Sequence, residues 1–219
     1  MHTKAGLDLN ISPCTMESFY RACARILVKI VYKTEFSGFE KIPDNGPAIL
    51  IANHASYMDG VIIQAACKRP VRFLIDHFIY NLPGVNYFMK LNRGIPILAK
   101  KESVEHAFDE ISKGLESGDL IGIFPEGQLT YTGHLGRFKP GIEWIIDRDP
   151  VPVYPIIIVG LWDSMFSRKY RKSRFRWFPR SFRRKIVAIC GDPIHPGNLH
   201  VNHLQRTLLG MLVAAEKKY

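Results

Sequence analysis

The sequence predicts an α/β fold: a mixed, largely parallel sheet flanked by helices, with an amphipathic helix at the N-terminus and another helix at the C-terminus. Five short runs, AILIAN (48–53), VRFLID (71–76), LIGIFP (120–125), VYPIIIVG (153–160) and KIVAIC (185–190), are rich in Ile and Val and bounded by Gly, Pro or Asp, as strands are. Most are continuous apolar runs rather than strict two-residue alternations, the mark of strands covered on both faces. Stretches with helical spacing lie between them, and strands alternating with helices build layered α/β domains.

Taken in order, the first segment, MHTKAGLDLNISPC, has no basic start followed by an apolar core and does not read as a secretory signal. Residues 15–33 place Phe19, Cys23, Ile26, Leu27 and Ile30 on one helical face, with Arg21, Arg25, Lys29 and Lys33 as cationic flanks. Such a stripe suits either packing on the domain core or lying in a bilayer interface. Residues 103–117 put Val104, Ala107, Phe108, Ile111 and Leu115 on one face behind Ser103 as N-cap. The final segment carries Leu204, Leu208, Met211 and Leu212 on a terminal helix. The expected division is an N-terminal segment with its helix over 1–35 and one domain over 36–219, with no internal repeat and no low-complexity linker.

With 219 residues, 47% hydrophobic and 23% charged, the chain has the composition of a folded domain. Its four cysteines, Cys14, Cys23, Cys67 and Cys190, form no C-x-x-C pair, which argues against a zinc site or disulfide framework and fits a reducing, cytoplasmic compartment. No apolar stretch reaches the ~20 residues of a membrane-spanning helix. The net charge of +10 is concentrated: residues 164–191 hold ten Lys or Arg and no acid, leaving the remainder balanced at 20 basic against 20 acidic residues. Within it, 168–185 interleaves Phe175, Trp177, Phe178 and Phe182 with cations. A strip of this kind suits anionic lipid, a polyanionic cofactor or nucleic acid, or is simply a solvated basic loop.

Two motifs follow predicted strands. In NHASYMDG (53–60), Ser56 and Asp59 have helix-capping spacing, which leaves His54 unexplained. A histidine oriented by a carboxylate removes a proton from an alcohol near neutral pH, and His54 and Asp59 do this if the chain turns between them. Ser56 as nucleophile would need a G-x-S-x-G elbow, which is missing. In the second motif, IFPEGQLTYTGHLGRFKPG (123–141), a strand runs into Pro-Glu-Gly and a glycine-bearing loop. Glycines let backbone N–H groups approach a ligand, and Glu126 is a candidate acceptor for a hydroxyl. Neither a phosphate loop nor a strand-linked G-x-G-x-x-G is present, so ATP and NAD sites are unsupported. His195, His200 and His203 have no accompanying Cys or carboxylate at ligand spacing, and no metal site is expected.

Together the motifs resemble the glycerolipid acyltransferases of the 1-acylglycerol-3-phosphate (lysophosphatidic acid) acyltransferase type. NHASYMD is similar to that family's N-H-x-x-x-x-D block, LNRGIPI (91–97) to its second, FPEG (124–127) to its third, and VPVYPIIIVG (151–160) to its fourth, all in the family's order. The resemblance implies that His54 is the general base, Asp59 its orienting partner, and that Arg93, Glu126 and Gly127 bind the acceptor. The chain departs from the third block, commonly Glu-Gly-Thr-Arg, with Gln128 and Leu129. That removes a cation and favours a lysophospholipid with a larger headgroup, unless Lys139 or the basic strip compensates. Also implied are an acyl donor, acyl-CoA or acyl carrier protein, with no other cofactor, and an anionic membrane surface in place of nucleic acid. The expected location is peripheral, on the inner face of the cell membrane. Competing readings are an acyltransferase with a non-glycerol acceptor, and a non-catalytic binder of anionic lipid or nucleic acid through 168–185.

Overall fold

The computed structural model describes residues 13–162, 164, 166–168 and 183–218. Helix α1 (Pro13–Val31) runs directly into β1 (Tyr32–Ser37), followed after a short 3-10 turn by β2 (Ala48–Ala52), α2 (Asp59–Ala66) and β3 (Val71–Asp76). A pair of short helices, α3 (His77–Tyr80) and α4 (Val85–Leu91), leads to β4 (Ile95–Ile97), α5 (Lys101–Glu116) and β5 (Leu120–Ile123). The chain ends with α6 (Gly141–Arg148), β6 (Val153–Val159), β7 (Arg184–Cys190) and α7 (Val201–Lys218). The described strands form one sheet in the order β1-β7-β6-β2-β5-β3-β4. Every neighbouring pair is parallel except β6 and β7.

Alternate residues of β2 serve opposite faces of the sheet, because side chains of a strand alternate. Leu50, with Ile156, Ile158 and Ile186, packs under Val28 of α1 and Ile62 and Ile63 of α2. Ile49 and Ile51, with Ile121 and Ile157, pack under Ile111 of α5, Ile142 and Ile145 of α6, and Leu204 and Leu208 of α7. Helices thus cover both faces, which is why the central strands read as unbroken apolar runs.

Two strands carry no such signal. β1, YKTEFS, lies at the sheet edge with a mostly exposed pattern, and β4 is three residues long with Pro96 at its centre. Edge strands are half solvated and need no apolar run. Since β1 pairs with β7 along Tyr32–Ser37, the sheet begins within the expected 1–35 segment. Ser103 is a further difference. The N-cap of α5 is Lys100, and the Ser103 hydroxyl accepts the backbone N–H of Leu98 at 3.0 Å, latching the end of β4 to the first turn of the helix.

From Cys23 to Ile30 the apolar stripe of α1 faces outward. Ile26 and Ile30 are 59% and 57% exposed and Leu27 is exposed beside them, whereas the smaller Ala24 and Val28 face the core. Arg25 fixes this orientation by donating to Ala65 O and Cys67 O, each at 3.0 Å, at the carbonyl end of α2, where a cation also complements the helix dipole. Of the basic strip 168–185, residues 169–182 lie outside the described residues, among them Phe175, Trp177, Phe178 and Phe182. No described helix is long and apolar enough to cross a membrane.

Candidate active site

The first motif starts where β2 stops. Asn53 continues the strand with its side chain, donating from Nδ2 to Ile158 O at 3.0 Å and accepting the Ile158 N–H at 2.7 Å. This ties the end of β2 to β6 and delivers His54 to the edge of the sheet. The chain then turns through residues 55–58 into α2, whose first residue is Asp59. His54 Nδ1 lies 2.9 Å from Asp59 Oδ2. That oxygen also accepts the Ala55 N–H at 2.7 Å and the Ser56 N–H at 2.8 Å. The carboxylate points back into its own turn, so it holds the imidazole and the loop together. Asp59 is wholly buried while the His54 side chain is 21% exposed, so the dyad presents its imidazole. With Nδ1 taken by Asp59, Nε2 is the nitrogen left for an incoming proton.

A second support comes from β5. The imidazole stacks on the Phe124 ring with centroids 4.1 Å apart and planes 14° from parallel, and Phe124 stacks in turn on Phe73 of β3. Phe73 fits because position 122 is Gly, where a Cβ would come within 2.4 Å of its ring. Glu126 is buried and braces the backbone: Oε1 accepts the His54 N–H at 2.8 Å and Oε2 the Gly136 N–H at 2.7 Å. Thr130 N–H donates to His54 O at 2.8 Å, so both backbone groups of His54 are held by the FPEG loop. Burial pushes the Glu126 carboxyl pKa up, against the opposing pull of these two N–H donors.

The structure therefore unites His54, Asp59, Glu126 and Gly127 at the carboxyl ends of β2 and β5, and gives Glu126 a bracing role that the sequence did not show. Each of its oxygens accepts a backbone N–H, so it positions His54 and the glycine loop. Gly127 adopts φ +65 and is covered by Lys139, whose Nζ would lie 2.7 Å from a Cβ placed there. Lys139 is exposed and its N–H bonds Pro125 O at 2.8 Å, so this cation does sit beside the motif.

Arg93 does not join them. It follows α4 in the left-handed region at φ +49, its N–H bonding Lys90 O, the geometry of a helix C-terminus. Its guanidinium pairs with Asp119 at 2.7 Å, next to the Arg72–Asp119 pair at 3.0 Å. Asp119 precedes β5, whereas Phe124 follows it; the five residue steps from one to the other span about 16 Å. Ser56 is not presented as a nucleophile: its hydroxyl is buried, accepts the Met58 N–H at 3.2 Å and faces Ser164 Oγ at 3.4 Å. The residues that sequence reasoning missed are Asn53, Phe124 and Phe73. The first two adjoin the quoted motifs, but nothing local tells a capping amide or a stacked ring from an ordinary strand end.

Residues 33–159, spanning both motifs and most of the sheet, match the family model described as acyltransferase. This chain belongs to the acyltransferase family. Among its relatives, a chloroplastic 1-acyl-sn-glycerol-3-phosphate acyltransferase of Brassica napus is 28% identical over 141 residues, covering 63% of this chain and 40% of that protein. A 1-acyl-sn-glycerol-3-phosphate acyltransferase of Borreliella burgdorferi is 30% identical over 141 residues, 63% of this chain and 56% of its own length. The matched region thus spans about half, or less, of these relatives. The crystal structure of the 1-acyl-sn-glycerophosphate acyltransferase PlsC from Thermotoga maritima superposes with a TM-score of 0.76 at 20% identity, over 96% of this chain and 86% of that one. That likeness establishes a shared fold for this acyltransferase-family chain.

Proposed function

We propose that this chain transfers a fatty acyl group from an acyl thioester, acyl-CoA or acyl carrier protein, to the free hydroxyl of a lysophospholipid. The observation that carries the reading is the His54–Asp59 pair, with a buried carboxylate on Nδ1 and a partly exposed imidazole. His54 Nε2 takes the hydroxyl proton as the acceptor oxygen bonds to the thioester carbonyl carbon. Asp59 stabilises the imidazolium that forms. When the tetrahedral adduct collapses, the carbon–sulfur bond breaks and the proton passes from His54 to the departing thiolate. No acyl-enzyme is required, consistent with the buried capping role of Ser56.

For the acceptor, the relatives' names favour 1-acylglycerol 3-phosphate, and Lys139 beside Gly127 supplies a cation for its phosphate where the chain has Gln128 and Leu129. The reading places the protein at an anionic membrane surface, where such acceptors reside. Support comes from the outward stripe of α1 and from α3 and α4, which bury none of their residues and expose Phe78, Tyr87 and Phe88. Residues 77–101 contain no acid and include Lys90, Arg93, Lys100 and Lys101. Apolar side chains among cations are the make-up of an interfacial surface.

The deciding experiment mixes purified protein with acyl-CoA and a panel of lysolipids and follows free-thiol release. Release that depends on a lysophospholipid and disappears in His54→Ala is expected. Release independent of every lysophospholipid, or unaltered in His54→Ala, overturns the reading.

A further inference from the structure

Behind the dyad, on the side away from the imidazole, lies a group of buried polar atoms that the proton transfer leaves unused. Among the described residues, Asp59 Oδ1, Tyr32 Oη and Ser167 Oγ are each buried with no partner in full hydrogen-bond geometry. Ser56 Oγ and Ser164 Oγ face one another at 3.4 Å, a long contact for two hydroxyls. These residues come from separate parts of the chain. Tyr32 opens β1, Ser56 and Asp59 flank the start of α2, and Ser164 and Ser167 follow β6, with Ser167 bridged to Ser56 as an antiparallel pair. The surroundings are apolar: Tyr32 belongs to the same buried cluster as Ala55, Met58, Ile62 and Leu161.

Buried polar atoms are as a rule partnered, and this set is complementary. Asp59 Oδ1 only accepts, while the phenol and the serine hydroxyls both donate and accept. Burial raises the Tyr32 pKa, and the Ser164 hydroxyl and the Asp59 charge both act on the phenol. The group is therefore a protonated donor next to an acceptor-only oxygen.

We propose that Tyr32 is a positioning residue for the dyad: its hydroxyl, together with that of Ser164, closes a hydrogen-bond network on Asp59 Oδ1 through one buried water. A water there has the two to four polar partners that such a site needs. The network disperses the carboxylate charge and anchors Asp59, so it sets both the hold of Asp59 on the imidazole and the direction in which that hold is applied. The inference rests on the reading of His54 as base. Among the described residues, the charged groups facing His54 are Asp59 from α2 and Glu126 from the loop after β5, and Tyr32 acts through Asp59.

The test is Tyr32→Phe in the full chain, which removes one oxygen. Without the donor the carboxylate binds the imidazolium more tightly, so the acidic limb of the kcat/KM profile moves to higher pH, by about half a unit. At fixed pH kcat falls several-fold to about tenfold, because Asp59 without its second anchor orients the imidazole less firmly, a loss that outweighs the tighter charge pairing, with KM within about twofold. His54 titration in a ¹⁵N-histidine NMR spectrum moves in the same direction. Because the spectrum needs no turnover, it still reads the network should the acyltransfer reading fail. Ser164→Ala, altering the network from another segment, is expected to give a smaller shift of the same sign and serves in place of Tyr32→Phe should that variant not fold. A pH limb and NMR midpoint unchanged in both variants, or a loss of rate with neither moved, overturns the inference.

Discussion

The Glu126 carboxylate accepts the backbone N–H of His54 at 2.8 Å, joining two motifs 72 residues apart. Its other oxygen holds Gly136 at 2.7 Å. The acid of the FPEG motif thus fixes where the base stands. Glu126→Gln keeps one acceptor oxygen and turns an amide against the other N–H. Stability should fall by about 1–3 kcal/mol, the usual cost of a buried unsatisfied group. The kcat should fall about tenfold while KM for the acceptor stays within about twofold, since the buried carboxylate acts through the backbone it holds. The same variant has a signature in pH. Burial raises the Glu126 pKa above its unfolded value, so the folded state holds the proton more tightly than the unfolded chain. This contribution to stability is fully present below the unfolded carboxyl pKa, about 4.3, and is lost as pH rises through the folded one. Urea midpoints across weakly acidic pH should show this decline in the wild type and a flatter curve in Glu126→Gln.

The dyad itself gives a second prediction. Asp59→Asn places an amide where Oδ2 now receives the imidazole and two backbone N–H groups. A carbonyl oxygen can keep those donors but provides no charge for the imidazolium. The kcat should drop by roughly 10²–10⁴, close to the loss in His54→Ala. Steady-state thiol release, with circular dichroism as a check on folding, measures both. Asp59→Asn at near wild-type rate would remove Asp59 from the mechanism.

Stacking provides the third. The imidazole rests on Phe124, and Phe124 on Phe73. Phe124→Leu retains apolar contact but not a flat support, which frees the imidazole to leave its line to Asp59. A fall in kcat of about tenfold is expected, together with a destabilisation of about 1–2 kcal/mol. Gly122→Ala approaches the same stack from beneath by pressing on Phe73. Kinetics and thermal melts of the two variants should show kcat falling in both. An unchanged kcat in both would show that the stack does not hold the base.

The central sheet was readable from the chain because β2, β5 and β6 are covered on both faces and must be apolar throughout. β1 and β4 escaped because edge positions relax that demand. His54 and Asp59 were readable because both lie within one turn of chain. Glu126 was legible as a candidate, but its contact with the His54 backbone was not, because the two are 72 residues apart. The α1 stripe shows the ambiguity of amphipathicity: spacing identifies an apolar face without saying what covers it, and here the face turned to the core is the one built from Ala24 and Val28. Arg93 is ambiguous for a related reason, since a cation beside a strand reads the same whether it meets a phosphate or the Asp119 carboxylate.

That last distinction can be measured. Arg93 and Lys139 were both candidates for the acceptor's phosphate, and only Lys139 lies against the glycine of the FPEG motif. Lys139→Ala should raise KM for 1-acylglycerol 3-phosphate about five- to tenfold, because a partly solvated cation–phosphate contact is worth about 1 kcal/mol or slightly more. Its effect should be smaller on a lysophospholipid whose phosphate is a diester. Arg93→Ala should leave KM within about twofold for either acceptor. Its loss should instead appear as a stability change of under about 1 kcal/mol, since the pair with Asp119 is half exposed and Arg72 remains to hold the carboxylate. Acceptor saturation curves and melting temperatures for the two variants separate the roles. A large rise in KM from Arg93→Ala, with Lys139→Ala silent, would place the acceptor phosphate at the other end of β5.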